Sequence, residues 1–593
     1  MKKLTLFTAL ILLWSSFSSL QAQTPTRTSW FEDARFGMFI HWGLYSAAEG
    51  IWKGENLRYL NNYAEWIRYR NRISKEEYGQ LAKRFDWESI NPEEWVIQAK
   101  KTGMKYIIMT AKHHDGVAIW NTKIGNYSLS KLSGSNRDII KELAEACRKH
   151  DMKLGFYYSH WIDWEHPYAW DHNLELTKSV SPEQFNTYWQ EKAIPQLREL
   201  LTNYGDIAVM WFDMWIPYEQ TIFKKEQLEQ AAKLIRELQP NCLINSRLGL
   251  PTDAEFVDFQ TLGDNVFAKE YIYHPWETPG TIAHSWGYSA YEKEWKSTSQ
   301  IFESLISNVS LNGGLTMNIG PRANGQIPYE SITRLNDIGT WLSKYGEALY
   351  RTKGTPLRAK NFDWGYLTLK KSNNKASLYA HIFNWPLDKI LRITGVKSIP
   401  SAIYAMDGNL LKKLNFVKKG SSIHINLPKD ATDNFVSLVK IDFDQNVDFD
   451  KEIVAESTFG GFALHSKNLI HAKSHEIISY NGKHPNHILS QGQDLLWFID
   501  IPDSGIYTLD ISAHNPTPNN IPITIQVGEQ KIKGILKPNG MIVVEPNENN
   551  YIEEFTDTTI GKIKIEKAGK ITVILKSSPD QTVWINRIWL QKI

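Results

Sequence analysis

Short apolar runs alternate with longer amphipathic stretches from about residue 30 to about residue 350. The runs have the length of β-strands and the stretches have the spacing of α-helices, which predicts strand–helix–strand units in a parallel sheet. The runs are apolar throughout, as expected of strands covered on both faces, and the repeat favours a (β/α)8-type TIM barrel of the α/β class. The predicted strands are Phe36–His41, Tyr106–Ala111, Leu154–Tyr158, Ile207–Phe212 and Cys242–Asn245, and the predicted helices are Arg137–His150, Gln184–Tyr204 and Lys224–Leu238.

A doubly wound parallel sheet is the competing fold. Such sheets often carry a glycine-rich phosphate loop after their first strand. No such loop follows the first predicted strand here, which favours the barrel.

The chain changes character after about residue 353. Helical spacing disappears, and strands of alternating polarity follow, separated by turn residues such as Asp407-Gly408-Asn409. We predict a barrel domain over residues 23–352, a β-sandwich over 353–443, an acidic linker over 444–455 and a second β-sandwich over 456–593. The last segment has the strand spacing of sugar-binding jelly rolls, and equally that of purely structural modules.

The N-terminus has the pattern of a secretory signal peptide. Lys2 and Lys3 precede an apolar run over residues 4–13, and a small, polar stretch ends at Ala22. We predict that residues 1–22 are removed on export to the periplasm or the cell exterior. No cysteine stands near the predicted cleavage site and no later run is long enough for a bilayer, so neither a lipid anchor nor a membrane span is expected. Cys147 and Cys242 are predicted to be buried thiols.

Charge and composition limit the functions that the sequence supports. The formal net charge is +2 and no long basic run is present, so nucleic-acid binding has little support. The chain contains 23 Trp, 26 Tyr and 24 Phe. Aromatic residues in this number suit sugar-binding sites and also the cores of large β-rich proteins.

Polar residues follow the predicted barrel strands one after another. In a barrel of this type the active site forms at the C-terminal ends of the strands. Six successive ends carry groups able to bind hydroxyls beside aromatic rings, which indicates a functional rim better than packing does. These ends are His41-Trp42-Gly43, Lys112-His113-His114-Asp115, Ser159-His160-Trp161, Asp213, Asn245-Ser246-Arg247 and, after a strand predicted at Phe256–Thr261, Gly263-Asp264-Asn265.

Asp213 is the leading candidate for chemistry on this rim. It follows the apolar residues 209–212, and Trp215 comes two positions later. A carboxylate so placed is partly shielded from water and could attack an anomeric carbon or stabilise an oxocarbenium ion. An aspartate after a strand can also cap the next helix, so the structural interpretation stays open here.

His113 and His114 invite a metal-binding interpretation. Adjacent residues on a strand point to opposite faces, so two such side chains seldom bind one ion. No other histidine motif with zinc spacing is present. We predict neither a metal nor a cofactor.

A series of motifs runs in a fixed order from Trp30 to Tyr350. They are RFGMFIHWG at 35–43, AKHHDG at 111–116, WFD at 211–213, PWET at 275–278, SWGY at 285–288, NGG at 312–314, NIGP at 318–321 and GEALY at 346–350. With these motifs the chain resembles the α-L-fucosidases of glycoside hydrolase family 29. The resemblance implies a retaining exo-glycosidase that removes terminal α-L-fucose from glycans or glycoconjugates by double displacement.

The resemblance also implies roles for single residues. Asp213 matches the family nucleophile, and Trp286 is expected to line the pocket near the C5 methyl group of fucose. An aromatic wall suits an apolar methyl group, whereas the sugar hydroxyls need polar partners. The residues that match positions holding the sugar are His41, Glu65, His113, His114, Tyr158, Trp211 and Arg247.

The acid/base lies on a variable loop in this family, and three carboxylates are candidates. Asp264 follows the predicted strand where family members often carry Thr-Pro-Glu, although Gly263 takes the place of that glutamate here. Glu277, in Pro-Trp-Glu, is easier to align, and Glu270 is the third option. We expect Asp264 in this role, ahead of Glu277.

Two other functions stay open at the level of sequence. A related exo-glycosidase could act on a fucose-like sugar such as an α-L-galactoside, if the wall near Trp286 is open and polar. A degenerate barrel could bind carbohydrate without cleaving it, which the missing Thr-Pro-Glu favours and the retained Asp213 disfavours.

Overall fold

Eight parallel strands form a closed barrel in the computed structural model of the chain. They are β1 (Phe36–Ile40), β2 (Tyr106–Lys112), β3 (Lys153–Tyr158), β4 (Val209–Trp211), β5 (Leu243–Ile244), β6 (Gln260–Thr261), β7 (Trp276–Thr281) and β8 (Gly314–Ile319). From β1 to β5 and from β6 to β8 each strand pairs in parallel with the next, and β8 pairs with β1. A parallel bridge between Asn245 and Phe259 joins the ends of β5 and β6, which closes the ring. The predicted fold class is confirmed.

The structure describes most of the chain. The predicted signal peptide, residues 1–22, lies outside the described residues, which are 26–58, 62–171, 179–357, 362–470, 488–490, 494–539, 543–544, 551–552, 555–576 and 583–593.

Helices cover the outside of the barrel at most crossovers. The connections from β5 to β6 and from β6 to β7 are described throughout and contain no α-helix, only the 3-10 turn Ser246–Leu248. The larger helices are Pro92–Thr102, Ile139–Lys149, Pro182–Tyr188, Ile194–Asn203, Lys225–Leu238, Thr298–Ser310 and Tyr329–Tyr345, and the shorter ones are Ser29–Ala34, Leu44–Ala48, Ile67–Arg70, Lys75–Gly79 and Leu129–Ser133.

The predicted helix over 184–204 is interrupted. A π-helical turn, Trp189–Ala193, separates its two α-helical parts. Pro195 follows this turn, and a proline has no backbone N–H to donate to the helix ladder. The interruption is therefore the local response of the helix to proline.

Side chains alternate between the inside and the outside of the barrel along each strand. Val209 and Trp211 belong to the apolar cluster that fills the interior, whereas Met210 and Phe212 pack among the helices. Asp213 continues the inward series, which brings its side chain to the mouth of the barrel.

A two-layered β-sandwich follows the barrel and packs against it. Trp341, on the last barrel helix, donates a hydrogen bond to the carbonyl oxygen of Val436 at 2.9 Å. Val436 and Leu438 belong to the same apolar cluster as the barrel helices. One sheet contains Lys353–Gly354, Gly365–Ser372, Lys375–Ile382, Ser437–Phe443, Ala402–Asp407 and Leu410–Lys413, and the other contains Ile390–Ile393, Ser422–Asn426 and Phe416–Lys419.

A second sandwich has its own core and docks on the first through polar contacts. Glu456 receives hydrogen bonds from Arg392 at 3.1 Å and from His424 at 2.8 Å. The strand Ile453–Val454 lies within the predicted linker and pairs with this sandwich, while the domain boundaries themselves stay predictions. One sheet contains Ile453–Val454, Leu495–Ile501, Gly569–Lys576, Ile521–Val527 and Gln530–Leu536, and the other contains Phe462–Leu464, Val583–Lys592, Gly505–His514, Thr556–Ile565 and Ile488–Ser490.

Two further predictions concern the state of the cysteines and the presence of a membrane span. Cys147 and Cys242 are free thiols in buried positions, as predicted, and burial raises the pKa of each to about 12. Within the described ranges, no helix combines the length and the apolar character needed to cross a membrane.

Candidate active site

A cavity of about 290 Å³ opens at the C-terminal ends of the barrel strands. Its walls come from five of the six strand ends that the sequence marked as a rim, since Ser159-His160-Trp161 contributes none, together with Tyr157 and the loops that carry Glu65 and Trp286. The lining residues are Phe39, His41, Tyr63, Glu65, Trp66, Arg70, His113, His114, Tyr157, Trp211, Asp213, Trp215, Arg247, Gly263, Asp264 and Trp286.

Asp213 is surrounded by hydrogen-bond donors. The Tyr157 hydroxyl donates to Oδ2 at 2.8 Å, and Arg247 Nη1 donates to Oδ1 at 2.8 Å. His114 Nε2 lies 3.4 Å from Oδ2. Burial alone favours the neutral acid, but the bond from His114, the charge of Arg247 and the bond from Tyr157 together hold the pKa of Asp213 well below its usual value. The side chain is therefore a carboxylate at neutral pH.

Arg247 joins Asp213 to a second carboxyl group. Its Nη2 donates to Asp264 Oδ1 at 2.6 Å and to the carbonyl oxygen of Leu262 at 2.7 Å. The Asp264 side chain lies at the cavity edge and is 52% exposed. Partial burial at the cavity edge and the charge of Asp213 raise the pKa of Asp264, although the charge of Arg247 opposes them. The two carboxyl groups thus have pKa values shifted in opposite directions, as nucleophile and acid require.

Glu277 lies inside the barrel and is not among the lining residues of the cavity. It is fully buried and accepts hydrogen bonds from Trp211 Nε1 at 2.7 Å, from the Thr261 hydroxyl at 3.2 Å and from the Thr316 hydroxyl. Burial raises the pKa of Glu277 against these bonds. Its contacts support the indole of Trp211, which does line the cavity. Glu270 is exposed on a loop and is likewise absent from the lining.

The hydrogen bonds of His41 fix its tautomer. Its Nδ1 lies 2.7 Å from Asn318 Oδ1, and Asn318 Nδ2 donates to the carbonyl oxygen of Trp286 at 2.7 Å. Because the amide nitrogen is the donor, Oδ1 is an acceptor and His41 Nδ1 carries the proton. Burial lowers the pKa of His41 to about 3, so the ring is neutral and its Nε2 can accept a hydrogen bond in the cavity.

Glu65 presents one oxygen atom that has no partner. Its Oε2 accepts hydrogen bonds from the backbone N–H groups of Trp286 at 3.1 Å and Gly287 at 2.9 Å. Oε1 is buried and has no hydrogen-bond partner in the described part of the chain. Burial raises the pKa of Glu65 to about 7. This carboxyl group can therefore accept from, or donate to, a sugar hydroxyl near neutral pH.

His113 and His114 both line the cavity, although adjacent strand residues point apart. The reason is that β2 ends at Lys112, so the two histidines lie just beyond the pleated strand. His114 Nδ1 lies 2.7 Å from Ser159 Oγ, which itself donates to the carbonyl oxygen of Ile162. Among the described residues, no three His, Cys, Asp or Glu side chains come together as a metal site.

The tyrosine of β3 that faces the cavity is Tyr157, where the sequence analysis selected Tyr158. Tyr158 points away from the barrel interior, and its hydroxyl donates to Gln196 Oε1 at 2.9 Å. Tyr157 stacks on Trp211, with ring centroids 5.5 Å apart. A step of one residue moves a strand side chain to the opposite face, so the prediction misplaced this contact by one position.

Several cavity residues were missed by sequence reasoning, and they are Phe39, Tyr63, Trp66, Arg70 and Trp215. The rings of Trp66 and Trp215 lie 6.4 Å apart, and the Trp66 ring lies 5.4 Å from that of His114. Trp66 directly follows Glu65 in sequence and Trp215 comes two positions after Asp213. Closeness in sequence to a candidate residue was the available signal.

The barrel and its acidic, aromatic cavity define a glycoside hydrolase. A family model described as Alpha-L-fucosidase matches residues 15–347. That match covers more than half of the chain, which belongs to the α-L-fucosidases of glycoside hydrolase family 29.

Individual relatives agree with this membership. The plasma alpha-L-fucosidase of Homo sapiens is 30% identical over 402 residues, which are 66% of this chain and 82% of that protein. The crystal structure of an alpha-L-fucosidase from Vibrio sp. strain EJY3 is 25% identical, covers 95% of this chain and 97% of its own, and has a TM-score of 0.73. An alpha-L-fucosidase from Bacteroides thetaiotaomicron, trapped as a covalent intermediate with 2-fluoro-fucosyl fluoride, is 25% identical, covers 70% of this chain and 95% of its own, and has a TM-score of 0.62.

Proposed function

We propose that the protein is a retaining exo-α-L-fucosidase that hydrolyses terminal α-L-fucosyl residues of glycans or glycoconjugates. The observation that carries the proposal is the pair Asp213 and Asp264, bonded to one guanidinium and shifted in pKa in opposite directions. Family membership supports the substrate, and the covalent intermediate of the Bacteroides relative supports the double displacement.

In the first step Asp213 attacks C1 of the sugar and forms an ester bond to it. The bond from C1 to the leaving oxygen breaks, and Asp264 gives its proton to that oxygen. In the second step Asp264 takes a proton from a water molecule, which attacks C1 and breaks the ester bond to Asp213. Retaining enzymes place the two carboxyl groups roughly 5–5.5 Å apart. The two carboxyl groups bond the two terminal nitrogens of Arg247, so both lie beside the same guanidinium.

The other walls of the cavity suit a 6-deoxy sugar. His41 Nε2 and Glu65 Oε1 can accept hydrogen bonds from hydroxyl groups. The Trp286 ring lies 5.0 Å from the ring of His41 and 6.0 Å from that of Phe39, which makes an aromatic surface for a methyl group. An α-L-galactoside carries a hydroxyl group at this point, and burying it against these rings without a partner is unfavourable.

Trapping the intermediate tests the nucleophile. The Asp264→Asn variant is incubated with 2-fluoro-fucosyl fluoride, whose good leaving group needs no acid. We expect the intact mass to rise by one fluorofucosyl group, attached to the peptide that contains Asp213. An adduct on another residue rejects Asp213, and an inverted product without any adduct rejects the double displacement.

The dependence on the leaving group tests the acid. Asp264→Asn is compared with Glu277→Gln on aryl α-L-fucosides with leaving groups of high and low pKa. Loss of the true acid slows the poorly activated substrate far more than the activated one and removes the basic limb of the pH profile. We expect this signature for Asp264→Asn. The same signature in Glu277→Gln alone would transfer the role to Glu277.

Aryl α-L-galactosides test the sugar preference. We expect kcat/KM on the galactoside to be lower than on the matching fucoside by at least about 100-fold. Equal kcat/KM values on the two substrates would favour the alternative of an exo-glycosidase that acts on a fucose-like sugar.

We also propose that the protein is exported after removal of residues 1–22. Support comes from the basic, apolar and small-residue regions at the N-terminus. N-terminal sequencing of the mature protein is expected to begin after Ala22, and an intact Met1 in the purified native protein would contradict the proposal.

A further inference from the structure

The second sandwich carries a cavity of about 490 Å³ that shares no lining residue with the active-site cavity. Its floor is the outer face of the sheet that contains Gly505–His514, Val583–Lys592 and Thr556–Ile565. The opposite face of the same sheet is packed in the core of the sandwich. The floor residues are therefore not needed to fill that core.

Neighbouring strands bring polar and aromatic side chains together on this floor. Asp510 is directly opposite Trp589, and Ser512 is directly opposite Arg587 on the same strand pair. On the other side, Ser512 is opposite Asp557. Side chains two positions apart on a strand share a face, so these five groups form one continuous surface.

A loop forms the wall of the cavity and displays an aromatic ring. Phe459 on this loop is 69% exposed. The loop is fixed to the first sandwich, because Asp363 accepts hydrogen bonds from the Ser457 hydroxyl at 2.7 Å and from the Thr458 backbone N–H at 3.0 Å. Hydrogen bonds between the two sandwiches thus hold the loop that carries the exposed Phe459 ring.

The polar groups of the floor can still form hydrogen bonds with a ligand. Ser512 is 6% exposed and lines the cavity, so its hydroxyl group lies at the cavity surface. Arg587 and Asp557 lie 3.7 Å apart with side chains that are 51% and 66% exposed, a pairing too loose to occupy either group.

We propose that this cavity is a binding site for a neutral saccharide, separate from the catalytic cavity. The partly exposed ring of Trp589 and the exposed ring of Phe459 can pack on the C–H faces of sugar rings, while Ser512, Asp510 and Arg587 can bond hydroxyl groups. The cavity contains three carboxylates, from Asp363, Asp510 and Asp557, against one guanidinium. This excess of negative charge disfavours sulfated, sialylated and uronic-acid glycans.

A glycan array of neutral and acidic oligosaccharides tests the proposal. The full-length protein is used with Asp213→Asn in every sample, so that no glycan is cleaved. We expect binding to neutral glycans that falls by at least roughly tenfold in Trp589→Ala and in Phe459→Ala. Tyr273→Ala, at an aromatic residue that is 78% exposed elsewhere, is the matched control and should bind normally.

Three results would overturn the proposal. They are the absence of any glycan binding, binding confined to acidic glycans, and binding that is the same in Trp589→Ala and Phe459→Ala as in the parent. The last result would assign the signal to the catalytic cavity. Because Phe459 is exposed, Phe459→Ala tests the site even if Trp589→Ala fails to fold. Activity of Trp589→Ala on an aryl α-L-fucoside, expected to be unchanged, separates this site from the proposed catalysis.

Discussion

The two cavities use the same kinds of side chain in opposite environments. In the barrel, Arg247 is 9% exposed and lies 2.8 Å from Asp213, which is 13% exposed. In the second sandwich, Arg587 is 51% exposed and lies 3.7 Å from Asp557, which is 66% exposed. Electrostatic interactions are strong where water is excluded and weak where it is not. Burial therefore strengthens the Arg247–Asp213 pair of the proposed catalytic site, whereas exposure leaves the Arg587–Asp557 pair suited only to binding.

The largest effect is expected when one carboxylate of each site is replaced and the two variants are compared. Asp213→Asn should lower kcat/KM on an aryl α-L-fucoside by about 10⁴-fold or more, because the nucleophile is lost. Asp510→Asn in the second sandwich should leave this value unchanged. A comparable loss in both variants would mean that the second sandwich takes part in catalysis and would break the comparison.

The next effect concerns the two arginines. Arg247→Met should lower kcat/KM by about 10²- to 10³-fold, whereas Arg587→Met should not change it. Arg247 helps to hold the pKa of Asp213 low, so its removal raises that pKa. Since Asp213 must be ionised to attack, activity on the acidic side should then be lost at a higher pH than in the parent protein. A pH profile of kcat/KM measures this, and an unmoved acidic limb would show that Arg247 does not control the nucleophile.

Tyr157 and Tyr158 are adjacent on β3, so they allow the cavity-facing position to be tested within one strand. Tyr157→Phe removes a donor to Asp213 and should lower kcat by about tenfold to 100-fold. Tyr158→Phe removes only the bond to Gln196 and should leave kcat unchanged while lowering the free energy of unfolding by about 1 kcal/mol. The reverse pattern would mean that Tyr158, as the sequence resemblance implied, is the one that faces the sugar.

The last prediction concerns stability in place of activity and is made for Glu65. The folded protein keeps this group protonated up to about pH 7, whereas the unfolded chain releases the proton at the ordinary glutamate pKa near 4.3. The group therefore lowers the free energy of unfolding as pH rises through this window, by at most roughly 1.4 kcal/mol per pH unit. Glu65→Gln should remove this loss, so its Tm relative to the parent should increase from about pH 4 to pH 7. A constant difference in Tm would show that the pKa of Glu65 is not raised by the fold.

Much of the barrel could be derived from the sequence alone. Continuous apolar runs at the right spacing predicted the parallel strands, and the polar residues at their ends predicted the rim. Asp213 was identified from its place after an apolar strand, and the motifs around it indicated the family. These features depend on local patterns, which a single sequence records well.

The tertiary structure decided what such patterns leave open. A strand buried on both faces is apolar at every position, so its sequence does not say whether Tyr157 or Tyr158 faces the interior. Asp264 and Glu277 are both carboxylates near strands, and only the closed barrel shows one at the cavity edge and the other beneath Trp211. The cavity of the second sandwich depends on the register of strands far apart in sequence, which brings Asp510 beside Trp589. The sequence by itself thus determined the barrel, its rim and the position of Asp213 at the mouth of the barrel, whereas long-range packing decided which neighbours face the same space.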